Sequence, residues 1–427
     1  MNKYLTNIVA LLGERLIGIP LAFVVSLLAA RILGPSLYGE LNYILSCIAL
    51  SAIFLNLGLE LVVIREIVKQ PDITSEILST TFALRFFGSF IAFIVVIVLV
   101  LHFEQPGSIV VASTVLFMRV PHAIAYFFQA KVNSQKIAMT NVFALTIGAM
   151  VKVAILFVSP KVLNLILVDI FVAAIISLIY LFLYGKDGAT LESRVNVDIA
   201  RSLLSSALPL LLSSTAIVIF SKFDQIMITN MMGPESNGIY AIASSCSAAL
   251  FFIPTIISST LYPKLIHASN DSVQEFNNQT TFQLEIMLIV VIPISLMAWF
   301  VYPKLLSAGF GEVYYGSVGA FNFMVFSIIP VALGVGSNKW LLARGLEKVV
   351  FHRTLFGAAA NVVLNYLLIP TYGIDGAAFS SLMAFSISSI FGNLISQQTR
   401  DLFVIQMKSF RFINTIDFIR KERKNIR

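Results

Sequence analysis

Charge is scarce in this 427-residue chain: 12% of the residues are charged, whereas 58% are hydrophobic. A soluble domain carries about a quarter charged residues, and no water-soluble fold buries so large an apolar fraction. The apolar runs are long and continuous, so segments of alternating apolar and polar residues are rare. Such alternation is the pattern of a transmembrane β-barrel, and its rarity excludes that fold. The composition therefore predicts an all-α polytopic membrane protein.

Cysteine and the common catalytic motifs are equally sparse. Two cysteines, Cys47 and Cys246, exclude a disulfide scaffold, and the four histidines show no metal-ligand spacing. The chain has no Walker loop, no GxGxxG motif before a helix and no HExxH motif. The loops on the outer side are too short for the substrate surface of a membrane glycosyltransferase or polymerase. We therefore expect no enzymatic activity, no cofactor and no bound metal, and an enzyme remains the weaker interpretation.

Long apolar stretches take up most of the chain. A span needs roughly 20 apolar residues, and twelve stretches qualify: about 8–31, 39–63, 79–101, 108–130, 138–158, 162–184, 203–229, 239–262, 282–303, 317–341, 354–369 and 376–398. Most of the 29 basic residues fall in alternate loops and the C-terminal tail, and the other loops hold only Arg31, Lys161 and Lys304. The positive-inside rule then predicts that both termini are cytoplasmic. The net charge of +7 reflects this topology and gives no reason to expect a nucleic-acid partner.

A repeat near half the chain length organises these spans. The motif GPSLYG, which starts at Gly34, returns 199 residues later as GPESNG, which starts at Gly233. The same offset relates Cys47 to Cys246. A duplication of six spans preserves orientation and predicts two six-helix lobes related by an axis along the membrane normal. The predicted organisation is a lobe over 1–184, a cytoplasmic linker over 185–202, a second lobe over 203–398 and a basic cytoplasmic tail over 399–427.

Each of the first two spans has one helical face of unusual composition. Small residues follow Glu14 at intervals of four along span 1, which permits close approach of another helix. Span 2 has a polar stripe, which we define as Asn42, Ser46, Ala49, Ile53, Asn56 and Glu60. Lipid would leave such groups unsatisfied, so the stripe faces protein packing or a water-filled cavity. The sequence does not decide between the two.

The tail begins with an apolar face of Leu402, Ile405, Phe412, Ile416 and Ile419 and ends in the basic run RKERKNIR. This pattern predicts an amphipathic helix that lies on the membrane surface and binds anionic headgroups.

Ionisable residues lie deep within the spans, where each one costs at least ~2.5 kcal/mol on insertion scales. The deep residues are Glu14, Arg15, Arg119, Lys152, Asp169, Lys222 and Asp224. One interpretation is a set of cross-helix ion pairs that fix packing. The other is a cationic cavity for an anionic substrate, in which the basic residues bind phosphate. The acidic residues, together with Glu60 at the end of the stripe, would then take up a coupling proton or cation.

For two arginines the sequence predicts where the side chain lies. Arg119 lies near the middle of span 4 on one face with His122, Tyr126 and Gln129, and Pro121 is expected to bend that span. If it does not serve a substrate, we expect it to pair with Asp169 or Asp224. Arg85 lies near the inner end of span 3, and we expect its side chain to snorkel to the interface.

Two motifs show a family resemblance. LAARILGPSLYGELNY at Leu28–Tyr43 and NVVLNYLLIPTYGIDGAAFSSLMA at Asn361–Ala384 resemble O-antigen and polysaccharide flippases of the Wzx type. These belong to the superfamily that also contains MATE drug exporters and lipid II flippases. The resemblance covers essentially the whole chain, and within it Arg31 matches a basic residue before the Gly-Pro turn.

The resemblance implies a flippase of the bacterial inner membrane that moves an undecaprenyl-diphosphate-linked oligosaccharide between leaflets by alternating access. It also implies membrane lipids and a coupling proton or sodium ion as partners, with a polysaccharide polymerase and a chain-length regulator as further ones. The candidate substrate-binding residues are Arg15, Arg31, Arg119, Lys152 and Lys222, and the candidate coupling residues are Glu14, Glu60, Asp169 and Asp224. The alternatives are a MATE-type cation-coupled exporter of small molecules and a membrane scaffold in which the deep charges only pair.

The predicted topology can be tested in the linker. A cysteine introduced at Ser193 should react with an impermeant maleimide only after the cells are opened, because the linker is expected on the cytoplasmic side. Labelling in intact spheroplasts would show that the linker lies on the outer side and that the predicted topology is inverted.

Overall fold

The computed structural model describes residues 3–188, 195–413 and 415, and every regular element in these ranges is a helix. The expected fold class, an all-α polytopic membrane protein, is therefore confirmed. The chain divides into two compact units, Met1–Val218 and Ile219–Arg427. This boundary falls inside a helix, and the relationship between the two halves as repeats stays a prediction.

The first unit contains the helices α1 (Lys3–Asn56), α2 (Leu59–Lys69), α3 (Thr74–His102), α4 (Ser108–Ser113), α5 (Val115–Met118), α6 (Ile124–Ala130), α7 (Ser134–Val158), α8 (Val162–Lys186) and the first part of α9 (Val197–Met232). The second unit contains the rest of α9, then α10 (Pro234–Leu250), α11 (Phe252–Asp271), α12 (Val273–Leu305), α13 (Ser317–Phe326), α14 (Ile328–Ala343), α15 (Glu347–Ser389) and α16 (Arg400–Ser409).

Nine helical segments of the described chain are long and apolar enough to cross a membrane. Two of them, Gly13–Lys69 with 57 residues and Lys348–Leu394 with 47, are each long enough for two crossings. If each counts as two and the start of α9 counts as one, the total is consistent with the twelve spans expected from the sequence.

Each of the two long segments consists of two helices joined at a kink with non-helical backbone angles, at Gly34 in the first and at Gly373 in the second. Gly34 inside α1 has φ 72° and ψ 173°, a conformation that a side chain would strain. Gly233, at the equivalent position of the repeated motif, has φ 89° and ψ 167°. The two copies of the Gly-Pro motif therefore turn the chain through the same backbone conformation, with Pro35 and Pro234 starting the next helical segment.

The fourth span is broken rather than merely bent. It consists of α4, α5, a 3₁₀ turn at Val120–Ala123 and α6, and Pro121 lies in the turn. Proline lacks the N–H that an α-helix needs at this position, which explains why the regular ladder stops there. The expected effect of Pro121 is therefore confirmed, and it leaves backbone carbonyls of this segment available to side chains of other helices.

The beginning of the tail does not lie on a membrane surface. In α16, Leu402 and Ile405 are buried in an apolar cluster with residues of α12 and α14. Gln406 is buried on the same face, where it donates to Ser337 Oγ (2.6 Å) and to the backbone carbonyl of Ser389 (2.8 Å). The expectation that this face contacts lipid is therefore wrong. Helical periodicity identifies an apolar face but not what covers it, and a buried glutamine finds partners in protein rather than in lipid. Ile416, Ile419 and residues 420–427 lie outside the described residues.

Close helix contacts in the first unit depend on glycine. A Cβ atom at Gly88 of α3 would overlap the backbone carbonyl of Phe54 in α1, and one at Gly148 of α7 would overlap Val172 of α8. A backbone carbonyl cannot move aside as a flexible side chain can. The α1–α3 contact is therefore possible only with glycine at position 88.

We predict that Gly88→Ala lowers membrane abundance and thermal stability in detergent, because α1 and α3 must separate. Overpacking of this kind costs about 1–3 kcal/mol. Gly13→Ala is the matched control, since a Cβ atom at Gly13 meets nothing within 4 Å and alanine favours the helix. Equal stability of the two variants would show that the α1–α3 contact is looser than described.

Candidate functional site

Among the cavities that open between described helices of the first unit, two are bordered by candidate residues from the sequence. The Lys152 cavity has a volume of about 200 Å³, and its lining includes Gly18, Ser26, Asn42, Gly148, Lys152 and Asp169. The Glu60 cavity has a volume of about 400 Å³, and its lining includes Ile53, Asn56, Glu60, Tyr126 and Ser214. Both combine an apolar lining with a few polar side chains, which is the usual composition of a ligand site.

The polar stripe of span 2 connects these cavities. Asn42 borders the Lys152 cavity, whereas Asn56 and Glu60 border the Glu60 cavity. Between them Ser46 is buried and donates to the backbone carbonyl of Asn42 at 2.8 Å. The stripe therefore faces cavities at both ends and protein packing in the middle. The sequence had left both possibilities open, and each applies to part of the stripe.

The Lys152 cavity contains an ion pair. Lys152 Nζ of α7 lies 2.7 Å from Asp169 Oδ1 of α8, and both side chains are partly exposed. The sequence had assigned these two residues to different roles, one to substrate and one to ion coupling, and the structure joins them. The second oxygen, Asp169 Oδ2, is buried and bonds no described group. Asp169 is thus engaged by Lys152 and forms no ion pair with Arg119.

The expectation that the Arg85 side chain snorkels to the interface is wrong. Its side chain is 3% exposed and does not snorkel; Nη1 donates to Tyr126 Oη (2.6 Å) and Nη2 donates to the backbone carbonyl of Arg119 (2.8 Å). Within the 3₁₀ turn at Val120–Ala123 the same carbonyl also accepts from the backbone N–H of His122 at 3.2 Å. None of the ion pairs among the described residues involves Arg85, so it adds a positive charge to this region.

Arg119 itself is half-buried, and its guanidinium forms no hydrogen bond or ion pair with any described residue. The charged groups that act on it over longer distances are Asp169 and Arg85. His122 lies nearby, with a ring nitrogen 3.2 Å from the carbonyl oxygen of Ala173. We call Arg85, Arg119 and His122 the basic cluster. Within the described structure it has more capacity to donate hydrogen bonds than the protein uses.

Two acidic candidates of the first unit, Glu14 and Glu60, bond to neutral groups. Glu14 of α1 accepts a hydrogen bond from Asn141 Nδ2 at 2.8 Å, and Tyr180 Oη donates to Asn141 Oδ1 at 3.1 Å. Glu60 accepts a longer one, 3.4 Å, from Gln129 Nε2. Tyr126 and Gln129, which the sequence places on one helical face, thus each bond to a polar side chain of another helix.

The second unit buries a carboxylate without a cation. Asp224 of α9 is 6% exposed and accepts hydrogen bonds from Tyr240 Oη (2.7 Å), Asn365 Nδ2 (2.7 Å) and Ser381 Oγ (2.5 Å). These partners come from α10 and α15, and Asn361 bonds to Asn365 and Ser381. None of the ion pairs among the described residues involves Asp224. It is thus a charged group enclosed by neutral donors.

The remaining candidates lie apart from these groups. Arg15 and Arg31 are exposed and line neither of the two cavities. Lys222 is partly buried in the second unit and makes no hydrogen bond or ion pair within the described ranges. No group of three or more metal-ligating side chains occurs in the part of the chain that the structure describes.

The sequence profile of a family described as "Polysaccharide biosynthesis protein" matches residues 4–269, which is more than half of the chain. The chain belongs to the polysaccharide biosynthesis protein family. The resemblance suggested by the Gly-Pro motifs is therefore confirmed at the level of the family.

The chain is also similar to several distant relatives. CapF of Staphylococcus aureus, a capsular polysaccharide biosynthesis protein, is 21% identical over 84% of this chain and 90% of CapF. MJ1375 of Methanocaldococcus jannaschii, an uncharacterized membrane protein, is 26% identical over 45% of this chain and 44% of MJ1375. AglR of Haloferax volcanii, named "Probable flippase", is 25% identical over 40% of this chain and 37% of AglR. The matches to MJ1375 and AglR thus cover less than half of those proteins.

Solved structures show the same fold. An inward-facing MATE multidrug resistance transporter matches 94% of this chain and 99% of its own, with a TM-score of 0.70 and 13% identity. The lipid II flippase MurJ, in an inward closed conformation, matches 97% of this chain and 93% of its own, with a TM-score of 0.65 and 15% identity. At these identities the likeness concerns the fold alone. This member of the polysaccharide biosynthesis protein family therefore has the fold shared by MATE transporters and MurJ.

Sequence analysis missed the neutral partners that complete these sites. Neither Tyr240 nor Ser381 was singled out. Such residues can be recognised in a sequence as polar side chains within a span that recur at helical spacing and so share one buried face. That signal identifies candidates but not which helix each one meets.

Proposed function

We propose that the protein is a flippase that moves a polyprenyl-diphosphate-linked oligosaccharide from the cytoplasmic to the periplasmic leaflet of a bacterial inner membrane. It works by alternating access with both termini in the cytoplasm, and a proton or sodium ion drives it. Membership of the polysaccharide biosynthesis protein family supports this proposal, and so does the similarity to a capsular polysaccharide biosynthesis protein, CapF, and to a probable flippase, AglR.

The observation that carries the proposal is the unpaired guanidinium of Arg119. An arginine at the centre of a span costs at least ~2.5 kcal/mol on insertion scales, and such residues normally face a cavity or a partner. Arg119 has no protein partner among the described residues, and Asp169 is already bonded to Lys152. With Arg85 and His122 beside it, the basic cluster suits a diphosphate, which arginine binds through two parallel hydrogen bonds.

A MATE-type exporter of small molecules is the second candidate, and Glu60 is the observation that favours it. This carboxylate borders the larger cavity, where a cationic drug would seek an acidic group. Arg85 opposes that interpretation, because it bonds to Tyr126 in the wall of the same cavity. The other carboxylates are less suitable, since Asp169 is paired and Asp224 is enclosed. If the protein were a scaffold without transport, its deep charges would be paired. Arg119 and Lys222 form no ion pair in the described structure.

The coupling site in this proposal is Asp224. A carboxylate buried among neutral donors keeps its charge only at a high desolvation cost, so binding a proton or a small cation is favourable. Oxygen atoms of Asn361, Asn365 and Ser381 lie in the same bonded group and could share a sodium ion with it. Such a site changes its net charge during a transport cycle, which is what coupling requires.

The substrate role of Arg119 leads to a first test. In a strain that lacks its own flippase, Arg119→Ala should abolish most surface polysaccharide, and Arg119→Lys should retain part as a point charge. Loss of a charged hydrogen bond of about 1.5–3 kcal/mol corresponds to a decrease in transport of about ten- to a hundredfold. Membrane abundance should stay unchanged, because the neutral residue is cheaper to insert.

Lys161→Ala is the matched control, since Lys161 is an exposed basic residue in the loop between α7 and α8. Normal polysaccharide display from Arg119→Ala at normal abundance would refute the substrate role of this residue. Export of cationic dyes that depends on Glu60 would instead support the exporter.

The coupling role of Asp224 leads to a second test. Asp224→Asn keeps the shape of the side chain but removes its charge, so flipping in reconstituted vesicles should no longer respond to an imposed proton or sodium gradient. Glu312→Gln, at an exposed glutamate of the same unit, should leave the response intact. A gradient response that survives in Asp224→Asn would contradict this assignment.

A further inference from the structure

The Lys152–Asp169 pair is not needed for binding a diphosphate, yet it borders a cavity. We propose that Lys152 and Asp169 together form a subsite for one uncharged sugar ring, which they bind through its hydroxyl groups. This proposal rests on the flippase function proposed above and specifies which part of the substrate enters the Lys152 cavity. It replaces the two separate roles expected from the sequence with a single shared one.

The size of the cavity suits a single ring. About 200 Å³ holds roughly seven water molecules at about 30 Å³ each, which is enough for one sugar but not for a chain of them. Gly18 and Ala22 of α1 and Ala149 of α7 line this space. Small residues on both helices leave the volume open, whereas larger side chains would fill it.

The pair has unused hydrogen-bonding capacity. The ammonium group of Lys152 has three donors, and its one bond among the described residues is to Asp169 Oδ1 at 2.7 Å. Asp169 Oδ2 is buried and bonds no described group, a state that is rare for a carboxylate oxygen unless a ligand or water completes it. A sugar hydroxyl both donates and accepts, so neighbouring hydroxyls can bond to the carboxylate and the ammonium together.

Charge distinguishes a sugar from the other possible ligands. The pair is neutral as a whole, so it attracts neither an anion nor a cation strongly. A diphosphate would approach Asp169 against like charge, and a cationic drug would approach Lys152 against like charge. An uncharged polyhydroxyl ring meets no such repulsion.

The position of the pair matches the order of groups in a lipid-linked sugar. Asp169 is one of the two charged groups that act on Arg119, so the Lys152 cavity and the basic cluster are neighbours in the first unit. A diphosphate bound at Arg119 would place the sugar attached to it next to Lys152 and Asp169. The subsite therefore recognises the first sugar of the oligosaccharide.

Cysteine protection tests this subsite without a transport assay. With Cys47 and Cys246 replaced by alanine, Ala22→Cys supplies a reporter in the cavity lining, and Ser36→Cys supplies an exposed control outside it. The purified full-length protein is alkylated with a maleimide in the presence of glucose, galactose or N-acetylglucosamine. Sorbitol is the open-chain control, and pyrophosphate tests an anionic ligand.

We expect at least one of the three sugars to protect the cysteine at position 22 but not the one at position 36. At ten times its Kd the protecting sugar should slow alkylation by about tenfold, because only the empty fraction reacts. Lys152→Met combined with Asp169→Leu should abolish this protection. Abundance should be retained, because apolar replacement of a whole buried pair is often neutral.

Three results would overturn the subsite: no protection by any of the sugars, equal protection by sorbitol or pyrophosphate, and protection that persists in the double variant. These results are independent of the flippase proposal. If the double variant lacks protection but Arg119→Ala displays polysaccharide normally, the sugar subsite stands and the flippase proposal fails. If no sugar protects but display still depends on Arg119, only the subsite fails.

Discussion

Charge in an apolar interior is the constraint on which the structure of this protein depends. In a span, a charged side chain needs a partner, a cavity or a bound ligand, because lipid offers none of these. Glu14 meets this need through Asn141, Lys152 through Asp169, and Arg85 through Tyr126 and a backbone carbonyl. Each solution ties together two or three helices. The polar contacts thus hold the first unit together at the places where it also has cavities.

Breaks in the helices make some of these solutions possible. In the 3₁₀ turn at Val120–Ala123 the carbonyl of Arg119 accepts both from the backbone N–H of His122 (3.2 Å) and from Arg85 Nη2 (2.8 Å). The glycine at position 34 turns α1 so that Ser26 and Tyr38, on either side of the kink, share a hydrogen bond of 2.6 Å. Local departures from regular structure therefore contribute directly to the site, and they occur at proline and glycine, which either disrupt the helix or tolerate positive φ.

The acidic side chains of the two units have different surroundings. In the first unit, the carboxylates of Glu14, Glu60 and Asp169 lie near basic groups or amides and are partly exposed or border a cavity. In the second, Asp224 is enclosed by Tyr240, Asn365 and Ser381. This difference fits a division of labour in which one unit contacts the substrate and the other responds to the driving ion. The same family fold supports several kinds of transport, so the distinction lies in these residues rather than in the fold.

The sequence alone determined the membrane character, the approximate spans, the Gly-Pro turns and the candidate residues, because long apolar runs and helical spacing are local properties of a chain. It correctly identified Pro121 as the residue at which span 4 departs from a straight helix. It failed for Arg85 and for α16, where the outcome depends on which surface covers a helix face. Only the tertiary structure decided that Lys152 pairs with Asp169, that Arg119 meets no partner among the described residues and that three neutral side chains enclose Asp224. Those pairings join residues far apart in sequence, and helical periodicity specifies the direction of a side chain but not the neighbour it meets.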